Sequence, residues 1–296
     1  MHFPPVTLGT VQLGMPYGIA GSGGMPSAAE ADAILDAAWA GGITCLDTAR
    51  AYGASEARIG AWCATTGHRP TIVTKIPPVP SGSDPISTVL KSIEESCAAL
   101  AQDRLAGVLV HRASDLDTVD VGKTLRNCVA AGQIGAFGAS VYDVSEARRT
   151  LEIDGVGLMQ LPASILDWRM ADSGVVAEAA SRGVAVFARS IYCQGLLFLD
   201  PATLPPHAAG AALALQRLRE IAEETGTNLA ALALGGVRGV TGLASVVVGA
   251  DSVGQVDAAV SALAAPLPAP EIMVAIRRAA STIPAAAVDP RCWPRQ

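Results

Sequence analysis

The sequence predicts an α/β fold, a closed (β/α)8 TIM barrel, and three observations carry that expectation. The chain has 296 residues, more than an ordinary domain but a normal length for this barrel. Short β-branched runs alternate with longer helical patterns from end to end. No long linker or low-complexity tract divides residues 1–296, so they read as a single domain. Half of the residues are apolar, enough for a large core, and only 4% are aromatic, so Ala and Gly must pack helices closely over a sheet.

The predicted strands are, in order, Val6–Leu13, Ile43–Thr48, Thr71–Lys75, Gly107–His111, Ala136–Ser140, Gly157–Leu161, Ala185–Ser190 and Ser245–Gly249. Most are continuous apolar runs, as strands covered on both faces require. Most steps from one to the next take about 20–40 residues, the size of a strand, a helix and two loops. The last step is nearly double and predicts extra helix or a long loop. Helix starts lie between the strands. Ser27 with Glu30 predicts a capping box before Ala31–Ala40, and Gly41-Gly42 ends that helix. Asp84-Pro85 opens a helix striped by Ile86, Val89, Ile93, Cys97 and Leu100. Asp143 with Glu146, and Ser252 with Gln255, predict two more capping boxes.

An open doubly wound sheet is the competing fold. Its dinucleotide-binding form carries G-x-G-x-x-G after the first strand. The cluster Gly18, Gly21, Gly23, Gly24 breaks that spacing, because Pro26 stands where the third glycine belongs, and it reads as a flexible loop. The net charge of −6 and the scattered Lys and Arg argue against a nucleic-acid partner. The six cysteines have no short metal-ligand spacing and read as reduced thiols in a cytoplasmic protein; no metal site is expected. The first residues show no basic stretch followed by an apolar run. The apolar window Leu229–Ala250 contains several glycines and Arg238, and it reads as helix, turn and strand, not as a membrane span. No heptad or other assembly signature indicates an oligomeric state.

Reactive groups in such a barrel gather where strands end. The second strand ends at Asp47 with Tyr52 in the following loop, the third at Lys75, and the fourth at His111. Any one of these has an ordinary explanation as a cap, a solvated charge or a structural histidine. Three successive strand ends with ionisable groups beside a tyrosine are a set. A phenol titrates near about 10, and a neighbouring ammonium favours its ionised form. A carboxylate keeps that ammonium charged, and a histidine positions the reacting oxygen. Together they can protonate a carbonyl oxygen as a hydride arrives from a cofactor, or take the proton back.

The segment Leu46-Asp47-Thr48-Ala49-Arg50-Ala51-Tyr52-Gly53 through Gly60 resembles the signature of the aldo-keto reductase family. Leu8–Gly14, Ile72–Lys75, Val108–His111, Gly132–Ser140, Gln160-Leu161-Pro162 and Gln194–Leu197 match it in the family's order, from about Leu8 to Leu263. The resemblance implies a (β/α)8 barrel and NAD(P)H-dependent interconversion of aldehydes, ketones or sugar carbonyls with alcohols. It implies Tyr52 as acid/base, Lys75 as modulator of its pKa, Asp47 as partner of Lys75, and His111 as orienter of the carbonyl. Ser140 and Gln160 match positions that hold the nicotinamide carboxamide, and Gly9, Thr10 and Val11 a turn near the cofactor. Gln194, Gly195 and Leu196 match the pyrophosphate loop, and Gly249, Asp251 and Gln255 the adenosine end.

Several positions depart from the family pattern. Val141 stands for a common Asn, and Ala163-Ser164 for Tyr-Asn; Arg189 stands for an aromatic that stacks on nicotinamide, and since a guanidinium can also stack, Arg189 remains a cofactor-binding candidate. Asp251 replaces a basic residue of NADP-preferring members. A carboxylate repels a 2′-phosphate but hydrogen-bonds a free ribose hydroxyl, so the resemblance implies NADP while Asp251 allows NAD. The N-terminal hairpin that closes the barrel bottom in the family is shortened or absent, since the first strand starts near Val6. Tyr17, Trp168 and Tyr192 follow strands and are candidates for the substrate wall. Two other functions fit the same barrel. One is a cofactor-binding regulatory or sensor protein with little turnover; the other is a Schiff-base enzyme using Lys75, disfavoured because Asp47 keeps that lysine protonated.

Overall fold

The structure is a computed structural model that describes residues 3–19 and 24–294. Eight parallel strands close in sequence order. They are β1 (Val6–Gly9), β2 (Cys45–Asp47), β3 (Thr71–Ile76), β4 (Gly107–Val110), β5 (Phe137–Ser140), β6 (Leu158–Pro162), β7 (Ala185–Arg189) and β8 (Leu243–Gly249). The barrel closes where β8 pairs with β1, Gly249 opposite Gly9. The fold is the TIM barrel that the alternating pattern predicts.

The first half of the chain carries α1 (Val11–Gly14), α2 (Ala28–Ala40), α3 (Ser55–Thr66), α4 (Pro85–Leu100), α5 (Val119–Ala130) and α6 (Val144–Leu151). The second half carries α7 (Arg169–Asp172), α8 (Val175–Ser181), α9 (Ala212–Glu224), α10 (Leu229–Arg238), α11 (Val253–Ala264), α12 (Pro270–Ala280) and α13 (Ala285–Val288). The long step from β7 to β8 is filled by 3₁₀ turns followed by α9 and α10. The window Leu229–Ala250 divides into α10, a turn and β8. Among the described residues no helix is long and apolar enough to cross a membrane, and no cluster of His, Cys, Asp or Glu could hold a metal ion.

The local signals act largely as their chemistry dictates. Ser27 and Glu30 form the capping box, and Asp84 caps α4 by accepting from the N–H groups of Ile86 and Ser87. On α4, Val89, Ile93 and Leu100 are buried while Ile86, at the first turn, remains exposed. Asp143 caps α6, but Glu146 reaches back to the N–H of Tyr142 instead of Asp143. The predicted Ser252 box does not form: Ser252 makes no side-chain cap, and the Gln255 Oε1 accepts from the Asp251 N–H instead. Cys45, Cys63, Cys128 and Cys193 are buried thiols, and Cys292 is exposed.

The first strand is shorter than its apolar run suggests. It ends at Gly9, and the residues expected to continue it to Leu13 coil into α1. Tertiary packing decides this. A Cβ on Gly14 would lie 1.7 Å from the carbonyl oxygen of Tyr52, so α1 is seated directly on the backbone of the loop after β2. Of the glycine-rich stretch, Gly21 and Gly23 lie outside the described residues.

Inside the barrel, Cys45, Val73, Leu109, Leu158, Phe187 and Val247 form one apolar layer, closed below by Phe3. Phe3 is 4% exposed and packs edge-on against Phe187 with ring centroids 4.8 Å apart. Among the described residues no strand precedes β1, so the bottom is plugged by this one ring where a hairpin was the alternative.

Candidate active site

Side chains alternate along a strand, so the residue two positions beyond an inward one also points inward. Two positions beyond Cys45, Val73, Leu109, Leu158, Phe187 and Val247 come Asp47, Lys75, His111, Gln160, Arg189 and Gly249. Ser140 on β5 and Gly9 on β1 complete the ring. The apolar layer thus carries a polar ring at the C-terminal mouth. Gly9 and Gly249 pair with each other and leave one side of the ring without side chains. A cavity of about 480 Å³ opens above the ring, and Asp47, Tyr52, His111, Ser140, Gln160 and Arg189 line it.

Lys75 is 1% exposed and lies at the centre of the ring's hydrogen bonds. Its Nζ donates to both oxygens of Asp47 at 2.7 and 2.8 Å and to the Thr48 carbonyl at 3.0 Å. Burial by itself pulls the Lys75 ammonium down, but Asp47 and the Tyr52 oxygen outweigh it and hold its pKa above the ordinary value. Gln160 Nε2 donates to Asp47 Oδ1 at 2.8 Å, so the carboxylate is satisfied from two strands. Nζ stands 4.9 Å from the Tyr52 ring centre, and the His111 ring meets Tyr52 edge-on at 6.0 Å. Burial and the charges of Lys75 and Arg189 push the His111 pKa down to about 4, so it is neutral at pH 7. Tyr17 is pushed up to about 12 by desolvation and by Tyr52, and burial raises Tyr192 as well. Of the cavity tyrosines Tyr17, Tyr52, Tyr142 and Tyr192, Tyr52 is the one with the Lys75 ammonium against its ring.

The Tyr52 loop is held from below. Ser55 Oγ hydrogen-bonds the Thr10 carbonyl and Thr10 Oγ1, and Thr10 Oγ1 donates to the Asp47 carbonyl. Gly53 has φ +55, and a Cβ there would meet the Gly14 carbonyl at 2.3 Å. Behind α3, buried Glu56 accepts from Thr74 and Ser96 and pairs with Arg50.

The remaining predicted residues divide. Gly9, Thr10, Val11, Tyr17, Tyr192, Gln194, Gly195, Gly249, Asp251 and Gln255 all line the cavity. Leu196 does not; its side chain is fully buried. Trp168 is also off the cavity. It follows a tight turn closed by paired Ser164 and Asp167 hydrogen bonds and is buried in the outer hydrophobic core. There its indole N–H donates to the Ile165 carbonyl and Arg277 lies 4.2 Å over its face. Ala163 and Ser164 face Val288, Asp289 and Pro290 across a narrow crevice, so C-terminal residues fill that wall. Arg189 lays its guanidinium 4.3 Å over Tyr142. The backbone has positive φ at Ser190, Cys193, Gln194 and Gly195, and of these the non-glycine residues Ser190 and Gln194 hold that uncommon conformation on the cavity wall. Ile19 N–H donates to the Gln194 carbonyl at 2.8 Å and ties the first loop to it.

Sequence reasoning missed Gln12, Tyr142, Phe198 and Pro290, all of which line the cavity. Tyr142 follows a strand, the criterion that selected Tyr17 and Tyr192, and was findable. Pro290 reaches the mouth from the far end of the chain, and no local pattern marks it.

The family model for the aldo/keto reductase family matches residues 5–276. The chain belongs to the aldo/keto reductase family. A curated relative, an aldo-keto reductase of Strobilurus tenacellus, is 29% identical over 175 residues, covering 55% of this chain and 51% of its own. The chain thus spans about half the length of the curated relative it matches. An aldo-keto reductase of Bacillus halodurans superposes with a TM-score of 0.78 at 22% identity, covering 96% of this chain and 95% of its own. A glycerol dehydrogenase of Gluconobacter oxydans gives 0.76 at 20% identity, with 94% and 92% covered. At these identities the two structures show the shared barrel. The family is one of NAD(P)H-dependent oxidoreductases acting on small carbonyl compounds.

Proposed function

We propose that this aldo/keto reductase is a single-domain, NADH-preferring carbonyl reductase that also runs in the alcohol-oxidising direction. The observation that carries the reading is the buried Lys75–Asp47 pair set 4.9 Å from the Tyr52 ring, with neutral His111 against the same tyrosine. In this reading Tyr52 gives its proton to the carbonyl oxygen during reduction and removes it from the alcohol in reverse. The Lys75 charge stabilises the phenolate that is left, and Asp47 keeps that charge in place in a desolvated site. Neutral His111 donates a hydrogen bond to the carbonyl oxygen and aims it at Tyr52. Because Lys75 is held as an ammonium with its protons engaged, it is a poor nucleophile, which disfavours Schiff-base chemistry.

A nicotinamide dinucleotide fits the residues present. The buried Oε1 atoms of Gln12 and Gln160 have no partner although both side chains line the cavity, and the Gly9–Gly249 side of the ring is open. When bound, the cofactor supplies or accepts the hydride. Ser140 and Gln160 would hold its carboxamide. Gly9, Thr10 and Val11 border its path, and backbone groups of Gln194 and Gly195 would hold its pyrophosphate. At the far end the lining side chains are Asp251, Gln255, Ala230 and Ala258, with no Lys or Arg among the described residues. A 2′-phosphate would meet a carboxylate there and no cation, which supports NADH. The deciding experiment is Tyr52→Phe, assayed by NADH oxidation over a carbonyl panel and by circular dichroism. We expect a native spectrum with turnover reduced at least a hundredfold; full turnover would refute Tyr52 as the proton donor.

A further inference from the structure

The ring at the barrel mouth contains a charge that no side chain among the described residues answers. Asp47 and Lys75 neutralise each other, and His111 is uncharged. Arg189 is the remaining charge of the ring and the one guanidinium that lines the cavity among the described residues. It stands on β7, across the eight-stranded ring from Lys75 on β3. It forms no ion pair among the described residues. The nearest acidic groups on its outer side are already occupied: Asp167 pairs with Arg169, and Asp289 pairs with Arg291. Arg189 is half-buried and faces the cavity, so water solvates it in the free protein and an anionic ligand that displaces this water would supply its counter-charge.

The guanidinium is also held in place. One nitrogen donates to the Val141 carbonyl at 3.1 Å and another to Ser190 Oγ at 3.2 Å, while Tyr142 supports its face at 4.3 Å. Of its five N–H donors, those left over match the bidentate geometry of a carboxylate. Arg291 stacks on the same tyrosine but is committed to Asp289 and Asp143, so it adds no free charge. With a single unanswered positive charge, the site matches a monoanion better than a phosphate dianion.

We propose that Arg189 is a substrate-anion subsite, and that the preferred substrate is an aldehyde or ketone carrying a carboxylate, reduced to the corresponding hydroxy acid. This rests on the carbonyl-reductase reading above. The carbonyl end addresses Tyr52 and His111, and the carboxylate end addresses Arg189 across the mouth.

The test compares a matched acid and neutral substrate, succinic semialdehyde with butanal, in wild type, Arg189→Met and Arg189→Lys. The readout is the ratio of kcat/KM for acid over neutral, in which any shared loss from cofactor contacts cancels. We expect the acid to be favoured at least tenfold in wild type. Removing the partner of a desolvated carboxylate typically weakens its recognition on the order of a hundredfold, so the ratio should fall to one or below in Arg189→Met. Arg189→Lys should recover part of it. A wild-type ratio at or below one, or a ratio unchanged in Arg189→Met, would overturn the subsite while leaving the reductase reading intact. If no carbonyl is turned over, the reductase reading fails, and binding decides the subsite. A melting-temperature rise with succinate, absent with succinamide and lost in Arg189→Met, supports it; no difference between the two ligands overturns it.

Discussion

Lys75 makes sense only with its neighbours. Alone, an ammonium 1% exposed inside a barrel would lose its proton. Asp47 reverses that, and Gln160 and Thr48 complete the hydrogen bonds. Asp47→Ala should therefore leave an unanswered buried charge and reduce stability by about 3–5 kcal/mol in urea unfolding. The double variant Asp47→Leu/Lys75→Met should regain most of that loss although it is inactive. A single-variant loss below about 1 kcal/mol would show that water already solvates the pair. His111 makes a separate prediction about pH. Its folded value, about 4, lies below the ordinary 6.5, so the unfolded chain takes up the proton first as pH falls. The neutral histidine therefore contributes no instability above 6.5, and stability should fall as pH drops through the window from 6.5 to 4. Melting curves of wild type and His111→Gln across that window should diverge, the wild type losing more; parallel curves would contradict the assignment.

At the scale of elements, α1 and the Tyr52 loop behave as one unit. Gly14 lies against the Tyr52 carbonyl, and Gly53 lies against the Gly14 carbonyl, so neither surface tolerates a methyl group without movement. Gly14→Ala should push α1 off the loop, lowering stability by about 1–3 kcal/mol and kcat together. Gly24→Ala, where a Cβ would meet nothing within 4 Å, is the matched control and should change neither. A Gly14→Ala enzyme with wild-type kcat would show that the loop positions Tyr52 without α1. The lower end of the barrel depends on a different short piece. Truncating the Phe3 ring leaves the floor of Val73, Leu109 and Phe187 open, and Phe3→Ala should lower stability by about 3–5 kcal/mol, measured by urea unfolding.

At the scale of the whole molecule, the cavity collects residues from both ends of the chain. Gly9 comes from the end of β1, Tyr17 from the first loop, Asp251 and Gln255 from the segment after the last strand, and Pro290 from the C-terminal segment. A ligand bound across these parts stabilises the closed barrel, by about 2.7 kcal/mol at a hundredfold excess over Kd. NADH should therefore raise the melting temperature by several degrees and NADPH by less, with Asp251→Arg reversing the order. Equal shifts with both cofactors would remove Asp251 from the specificity argument.

Much of this molecule was legible in the order of its residues. Strand ends at Asp47, Lys75 and His111 follow apolar runs, and a parallel barrel gathers such ends at one mouth whatever the loops do. Family, fold and the Tyr52 set follow from that local pattern. Other features depend on contacts between segments distant in sequence. The end of β1 at Gly9 was decided by the backbone of the Tyr52 loop, and the place of Trp168 by its packing in the outer hydrophobic core. The wall at Pro290 was decided by where the C-terminal segment docks. The unanswered charge of Arg189 is of the same kind. A sequence shows that an arginine is present, but only the closed barrel shows that, among the described residues, it forms no ion pair and that Asp167 and Asp289 beside it are paired with other arginines. Strand periodicity is a property of neighbours along the chain. Charge balance and close packing are properties of neighbours in space, and these the tertiary structure decided.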